Sequence, residues 1–248
     1  MYQILFNIIL LISTLSLTYS IDETLTKYKG GWPTNNNPPI NSSNIIPDCP
    51  SEVGCSCTSN NDCLNNNCLR IPKGSYCFPK DGDYFPDFTG IDQFNEHVSI
   101  YDFSEQNKYI LIEMSADWCS PCHMLSNWIT YGDNEIKTQN WWRDDYDIIY
   151  ELIHNNEIYF ITVLYEDEFR KNATFDTVNE WYVNYPDEKI PILADFNKNL
   201  HSWIKPTGIP AITLIDENMK IVAYANRGLN IAFNKLLEIM KKKEKYAE

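Results

Sequence analysis

The chain has 248 residues, of which 44% are hydrophobic, and a formal net charge of −14 at pH 7. This length is enough for one full hydrophobic core together with a small second module. Because a strongly acidic surface repels phosphate groups, we expect no nucleic-acid partner and no docking on anionic membranes.

The first 20 residues have the pattern of a secretory signal peptide. An apolar run over 4–17 ends in Thr18-Tyr19-Ser20, and its small residues suit cleavage before Ile21. The run is short and interrupted for a membrane span, and an uncleaved anchor is the alternative. The C-terminal Lys245-Tyr246-Ala247-Glu248 is not an endoplasmic-reticulum retention signal. We therefore expect a secreted or extracytoplasmic chain that leaves the membrane after cleavage.

Residues 21–48 are predicted to be a flexible linker, because Gly, Pro and Asn dominate and few large apolar residues occur. Residues 49–80 form a cysteine-rich module. In a secreted protein, this density predicts three disulfides that stabilise a module too small for its own core, although the sequence does not choose their pairing. A zinc cluster is the alternative. The six cysteines are Cys49, Cys55, Cys57, Cys63, Cys68 and Cys77.

Residues 82–243 alternate between strand-like and helix-like stretches. Apolar and β-branched runs predict strands over 98–103, 109–115, 158–164, 211–215 and 221–225. Helical spacing of apolar residues predicts helices that begin near Pro121 and that include 150–153, 175–185 and 229–240. Helices between buried strands indicate an α/β domain, with helices on both faces of a sheet.

The remaining two cysteines lie in Trp118-Cys119-Ser120-Pro121-Cys122. Pro121 suits the first turn of a helix, and a helix N-terminus stabilises a thiolate at Cys119. Cys122 lies one turn later on the same face, where its thiolate can attack a mixed disulfide on Cys119. By itself such a pair is also compatible with a structural disulfide or with half of a zinc site.

Two further features surround this pair. Glu113 lies in the middle of the apolar run 110–114, six residues before Cys119. A carboxyl group in a core strand is costly unless it has a task, and we expect that task to be proton transfer to or from Cys122. Gly208-Ile209-Pro210 directly precedes the predicted strand 211–215.

Together these residues resemble the thioredoxin-like superfamily. The stretch 110–122 is similar to the strand, active site and helix of thioredoxins, and Gly208-Ile209-Pro210 is similar to the family's cis-proline loop. Residues 82–88 and 190–195 resemble the TlpA-like, or redoxin, branch. The resemblance covers about residues 82–243. It implies a thioredoxin-like fold, with a central mixed sheet flanked by helices, behind an N-terminal disulfide-rich module.

The resemblance implies catalytic roles for three residues. Cys119 corresponds to the nucleophile, Cys122 to the resolving thiol, and Glu113 to the buried acid, which is Asp in typical thioredoxins. No cofactor and no metal are implied, because the dithiol is the redox group. The expected partners are protein thiol or disulfide substrates and a redox partner that the sequence does not identify.

Three further residues correspond to the substrate-binding part of the family's site. Pro210 is expected to be cis, and Ile209 to offer backbone hydrogen bonds to an extended substrate segment. Trp118 is expected to shield the edge of the site.

The sequence also departs from the family. Ser120-Pro121 is neither the Gly-Pro of thioredoxins nor the Gly-His of isomerases, so the direction of electron flow is open. Residues 131–147 resemble an insertion, and we expect its Trp141-Trp142 pair to be core rather than substrate surface. We expect His123 to point away from the site. Ala116 stands where peroxiredoxins carry Thr or Ser, so peroxidase activity is not expected.

The leading hypothesis is a secreted thiol–disulfide oxidoreductase that acts on protein substrates. The alternative is a secreted binding protein that uses a thioredoxin-like scaffold, with a Cys119–Cys122 disulfide that is only structural. Asn41-Ser42-Ser43 and Asn172-Ala173-Thr174 are candidate glycosylation sites if the host is a eukaryote.

Overall fold

The computed structural model describes the backbone of residues 28–247 and the side chains of residues 28–243. The signal peptide expected over residues 1–20 lies outside the described residues, as does the beginning of the predicted linker. Within the described part of the chain, no helix is long and apolar enough to cross a membrane.

Within residues 28–247, nine strands form two sheets. They are β1 (Cys68–Ile71), β2 (Gly74–Cys77), β3 (Thr89–Asp92), β4 (His97–Ser99), β5 (Ile110–Ser115), β6 (Tyr159–Leu164), β7 (Ile192–Ala194), β8 (Ala211–Ile215) and β9 (Ile221–Ala223). The first two pair as an antiparallel hairpin, and the others form a mixed sheet in the order β4-β3-β7-β6-β5-β8-β9. Strand β5 lies inside this sheet, parallel to β6 and antiparallel to β8.

In the part of the chain that the structure describes, five α-helices flank the large sheet. They are α1 (Ser120–Tyr131), α2 (Asp147–His154), α3 (Phe175–Asn184), α4 (Asn199–Ile204) and α5 (Asn230–Ala247). Helix α1 connects β5 to the insertion that precedes α2, while α5 packs on β8 and β9. The mixed sheet with flanking helices confirms the predicted fold class, and the helices expected near Pro121, 150–153, 175–185 and 229–240 are all present.

The predicted strand over 98–103 is wrong in its second half. Strand β4 ends at Ser99, and Ile100–Phe103 form a short 3-10 helix. The Ser99 hydroxyl accepts the backbone N–H of Tyr101, and the Asp102 carboxylate accepts the backbone N–H of Ser99. These two side chains cap the turn and end the strand, although the apolar residues continue the strand-like pattern.

Residues 28–48, here called the N-terminal strap, pack against the large sheet. This packing differs from the flexible linker that the sequence predicts. Tyr28 and Trp32 are each 4% exposed and belong to the main core. The Tyr28 hydroxyl donates to Asp102, and Trp32 Nε1 donates to Asp92 at 2.9 Å. Each aromatic residue thus buries a large apolar surface and supplies a donor to a buried carboxylate, which anchors a segment of otherwise linker-like composition.

The cysteine-rich module contains three disulfides, as expected. The pairs are Cys49–Cys55, Cys57–Cys68 and Cys63–Cys77. The sulfur atoms of Cys57, Cys63 and Cys77 lie within 4.8 Å of one another, but each one is bonded to another cysteine sulfur. These bonds leave no thiolate for the alternative zinc cluster.

The module docks on the large domain through aromatic contacts. Phe78 is fully buried and lies 6.2 Å from Tyr224 between ring centroids. The ammonium group of Lys205, at the end of α4, lies 4.4 Å from the ring centroid of Tyr76 in β2. The disulfide-rich module therefore contacts the segment that leads from α4 toward Gly208.

The packing of the strap gives a testable prediction. Trp32→Ala should lower the free energy of unfolding by about 3–5 kcal/mol, because it removes a buried indole and leaves Asp92 without that donor. The matched control is Ile40→Ala in the same segment, since Ile40 is 98% exposed, and it should change the free energy by less than about 0.5 kcal/mol. Urea unfolding followed by fluorescence measures both. Equal, small effects would contradict the packing of the strap.

Candidate active site

The Cys119–Cys122 disulfide lies where β5 leads into α1. Cys119 is the N-cap residue of α1, and its Sγ accepts the backbone N–H of Cys122 at 3.3 Å. Pro121 occupies the first turn, where a missing N–H costs nothing. Cys119 is 2% exposed and Cys122 is fully buried, so the small accessible surface of the disulfide belongs to Cys119.

The backbone around the disulfide explains why the helix begins there. The N–H of Cys119 donates to the carbonyl of Ala116, and the Cys119 carbonyl accepts the N–H of His123 at 3.1 Å. The Cys122 N–H and the positive end of the helix dipole are directed at Cys119 Sγ, an arrangement that stabilises negative charge on this sulfur when the bond is reduced.

Glu113 is fully buried in β5. Its Oε2 accepts the hydroxyl of Thr162 at 3.0 Å, while its Oε1 has no hydrogen-bond partner among the described residues. Burial raises the pKa of Glu113 from 4.5 to about 8, and hydrogen bonding to Thr162 opposes this only in part. The carboxyl group is thus neutral at neutral pH and able to donate or accept a proton slightly above it.

The position of Thr162 shows which face of the sheet carries Glu113. Thr162 is the register partner of Glu113 on the parallel strand β6. It lines a small cavity together with Ser126 and Ile129 of α1. Because Thr162 also hydrogen-bonds to Glu113, the carboxyl group lies on the face that α1 covers, and α1 is the helix that carries Cys122.

Trp118 is held in place by charged groups. Its indole N–H donates to Glu166 at 2.7 Å, and the guanidinium group of Arg170 lies 3.8 Å from its ring centroid. Lys198 in turn forms an ion pair with Glu166 at 2.6 Å. These contacts fix the orientation of the Trp118 indole, while its role in shielding the edge of the site stays a prediction. The Glu166–Lys198 pair was not anticipated, because its members are distant in sequence from the Cys-Ser-Pro-Cys motif.

The Ile209–Pro210 peptide bond is cis, and both residues border an open cavity of about 330 Å³ next to α1. Pro121 lines the same cavity. The Pro210 carbonyl accepts the N–H of Gly228 at 2.7 Å, which joins this loop to the segment after β9. The structure therefore brings the active-site helix and the predicted substrate loop together around one depression.

Trp141 and Arg227 are among the residues of this cavity that were not predicted as site residues. Trp141 comes from the insertion, and Arg227 comes from the segment after β9. The expected core role of the tryptophan pair is correct for Trp142, which is 9% exposed, but Trp141 is half-buried and faces the cavity. The Trp-Trp dipeptide does not reveal which ring is buried, and no spacing rule connects Arg227 to Cys119.

His123 points away from the disulfide, as expected. Its Nδ1 lies 2.6 Å from the Tyr185 hydroxyl, and its Nε2 donates to the carbonyl of Asp117. The imidazole also stacks on Trp181 with 4.5 Å between ring centroids. Its task is to pack α1 against α3.

The raised pKa of Glu113 gives a testable prediction. In the folded chain Glu113 stays protonated up to about pH 8, whereas unfolded it ionises near 4.5. Unfolding thus releases a proton between these values, and the free energy of unfolding falls as pH rises through this window. Glu113→Gln, neutral throughout, should remove this component, which amounts to a few kcal/mol at ~1.4 kcal/mol per pKa unit.

The measurement is urea unfolding of the oxidised chain at several values between pH 4.5 and 9, with the pH dependence of each variant compared with that of the wild type. The control is Glu157→Gln, since Glu157 is exposed in the turn before β6. If Glu113→Gln keeps the wild-type pH dependence, Glu113 is not protonated in the folded chain.

Comparisons with known proteins give similar structures but no sequence match. No protein-family model and no curated protein matches the sequence. A thioredoxin domain of a thiol-disulfide oxidoreductase from Bacteroides vulgatus is 21% identical with a TM-score of 0.45, over 65% of this chain and 98% of its own. An exposed lipoprotein thioredoxin from Streptococcus pneumoniae is 18% identical with a TM-score of 0.43, over 63% and 98%.

A third similar structure is a putative thiol:disulfide interchange protein DsbE from Chlorobium tepidum. It is 17% identical with a TM-score of 0.43, over 59% of this chain and 84% of its own. The sheet order of this chain, with Cys119 and Cys122 at the start of α1 directly after β5 and with Pro210 directly before β8, establishes a thioredoxin-like fold.

Proposed function

We propose that this chain is a secreted thiol–disulfide oxidoreductase that exchanges disulfides with protein substrates through Cys119 and Cys122. The observation that carries the proposal is a disulfide at the N-terminus of α1, the helix that covers the face of the buried Glu113 carboxyl group, with Pro121 between the two cysteines lining an open cavity. Redox sites need a stabilised thiolate, a proton acceptor and access for a substrate, and this arrangement supplies all three.

The exchange is balanced in both directions. A substrate thiolate attacks Cys119 Sγ, the Cys119–Cys122 bond breaks, and the electron pair leaves with Cys122 sulfur. A second substrate thiolate then attacks the mixed disulfide, and the Cys119 thiolate leaves. The substrate loses two electrons and two protons, and the pair gains them. In reverse, Cys119 thiolate attacks a substrate disulfide and Cys122 resolves the mixed disulfide.

Glu113 serves as the proton carrier of Cys122 in this proposal. Cys122 is fully buried, so its sulfur cannot exchange a proton directly with water. A neutral carboxyl group on the face covered by α1 can protonate the leaving Cys122 thiolate, and the carboxylate can accept the proton during resolution. A pKa of about 8 allows both steps near neutral pH.

Ile209 and Trp118 bind the substrate on either side of the disulfide in this proposal. Ile209 borders the cavity beside the cis Pro210, where an extended segment can pair with its backbone. Trp118 shields the other edge, fixed by Glu166 and Arg170.

Secretion is supported by cysteine usage as well as by the N-terminal sequence. The three disulfides of the module persist in an oxidising compartment. Both candidate glycosylation residues, Asn41 and Asn172, are exposed. The proposed location is therefore outside the cytoplasm.

A second candidate function is a secreted binding protein whose Cys119–Cys122 disulfide is only structural. The observation that favours it is the low accessibility of Cys119, which is 2% exposed. A buried structural disulfide resists exchange, whereas a redox pair reacts after mild reduction.

An equilibrium redox titration of the full chain against glutathione separates the two functions. Thiol state is read by alkylation and mass. We expect Cys119 and Cys122 to exchange while the three module disulfides stay intact. A potential near roughly −270 mV indicates a reductant, and one of roughly −120 to −180 mV indicates an oxidant or isomerase.

Matched serine variants test the assignment of the two sulfurs. Cys122→Ser should accumulate a mixed disulfide with a protein substrate, because the resolving thiol is missing. Cys119→Ser is the control and should trap nothing. If the wild-type pair neither exchanges nor alkylates under mild reduction, the oxidoreductase proposal is wrong and the binding protein takes its place.

A further inference from the structure

The open cavity beside the disulfide combines apolar walls with a single charge. Its lining includes Pro121, Trp141, Ile209, Pro210, Arg227 and Leu229. We propose that this cavity selects substrate segments that carry a large apolar side chain next to an acidic residue. This inference rests on the proposed function, because it names the substrate class of the same site.

Trp141 provides the apolar wall, and the surrounding structure holds it in place. The carbonyl of Trp141 accepts the side-chain N–H of Asn230, at the start of α5, at 2.7 Å. The adjacent Trp142 packs edge-on against Trp128 of α1, with 4.8 Å between ring centroids. With its backbone tied to two helices, the half-buried Trp141 ring offers a preformed apolar surface, which lowers the entropic cost of binding.

The size of the cavity suits one side chain rather than a whole domain. Its volume of about 330 Å³ is at the lower end of the range for ligand sites. Leu229, which is buried, and the half-buried Trp141 line it. A Leu, Met or Phe side chain of a bound segment would fit in it and cover the Trp141 ring, with room left for the neighbouring residue.

Arg227 is the charged side chain among the lining residues, and it is exposed. Its side chain lies flat along Gly208, where an added Cβ would be only 3.1–3.2 Å from Nε, Cδ and Cγ. Over residues 28–243, its guanidinium takes part in no hydrogen bond or ion pair. The absence of a Cβ at Gly208 thus lets an unpaired cation approach Ile209 and Pro210.

An unpaired guanidinium at this place favours carboxylates locally, although the chain as a whole carries a net charge of −14. Long-range repulsion of a carboxylate by the acidic surface is screened by salt, whereas a contact within the cavity is screened less. A substrate Asp or Glu beside the apolar anchor can pair with Arg227 in two parallel hydrogen bonds, and a Lys or Arg at that position is repelled.

Binding of short peptides to the full chain tests this inference without requiring redox turnover. The peptides carry Ser in place of the reactive Cys, a Leu anchor, and either Glu or Lys as its neighbour. The readout is the chemical shift of the Trp141 indole N–H, assigned with Trp141→Phe. We expect the Glu peptide to bind roughly two- to fivefold more tightly than the Lys peptide, the range for an exposed ion pair.

Two variants and one matched control complete the design. Arg227→Glu should reverse the preference, and Trp141→Ala should weaken both peptides by roughly five- to tenfold through loss of the apolar wall. Lys220→Glu makes the same charge change in the turn at the far end of β8 and should leave the preference unchanged. Equal affinities for both peptides, a preference that survives Arg227→Glu, or no shift at Trp141 would each overturn the inference.

Reduction of Cys119–Cys122 by uncharged dithiothreitol, measured on the same samples, separates the two proposals. If the disulfide resists reduction while the Glu peptide is still preferred, the proposed oxidoreductase function fails and the selective peptide site stands. If the disulfide is reduced readily but the wild type does not discriminate between the peptides, the selectivity fails and the oxidoreductase function stands.

Discussion

The burial of β5 along its whole length is the constraint on which the site depends. All six of its residues are buried, and the strand has a hydrogen-bonded neighbour on each side. Glu113 therefore cannot turn to water, and its carboxyl group stays neutral near pH 7. The same strand leads to Cys119, where the N–H of Cys122 in the first turn of α1 donates to the sulfur. One rigid element thus determines the environment of both Glu113 and Cys119.

The N-terminal part of the chain packs against the large domain and contacts the elements that form the site. Gly82 N–H donates to the Ile221 carbonyl, and the Asp83 carbonyl accepts the Ile221 N–H, so the connection after the module covers the free edge of β9. The Lys205–Tyr76 contact then links the module to the end of α4, shortly before Gly208. Because Gly208 leads into Ile209 and Pro210, the disulfide-rich module contacts the segment that forms one wall of the proposed substrate site.

Sequence patterns predicted those features whose causes are local. Pro121 after Cys119 predicts the start of a helix, and the apolar run around Glu113 predicts a buried strand. Both features depend on residues that are neighbours in the sequence. The disulfide pairing, the packing of Trp32 on Asp92 and the approach of Arg227 to Gly208 depend on contacts between distant segments. No local sequence pattern predicts these contacts. The linker-like composition of the strap therefore gave no sign that Tyr28 and Trp32 anchor it.

For the proposed oxidoreductase, the direction of electron flow depends on the electrostatic environment of the disulfide. The N-terminus of α1 and the Glu113 carboxyl group in β5 both contribute to it. The helix N-terminus stabilises a Cys119 thiolate, which favours the reduced form and makes the disulfide more oxidising. An ionised Glu113 on the same face would oppose thiolate formation and favour the disulfide. Since burial keeps Glu113 neutral up to about pH 8, its carboxyl group adds no negative charge beside the helix N-terminus at neutral pH. For the proposed oxidoreductase, the helix N-terminus is thus one contribution that favours the reduced pair, and the Ser120-Pro121 dipeptide adds its own.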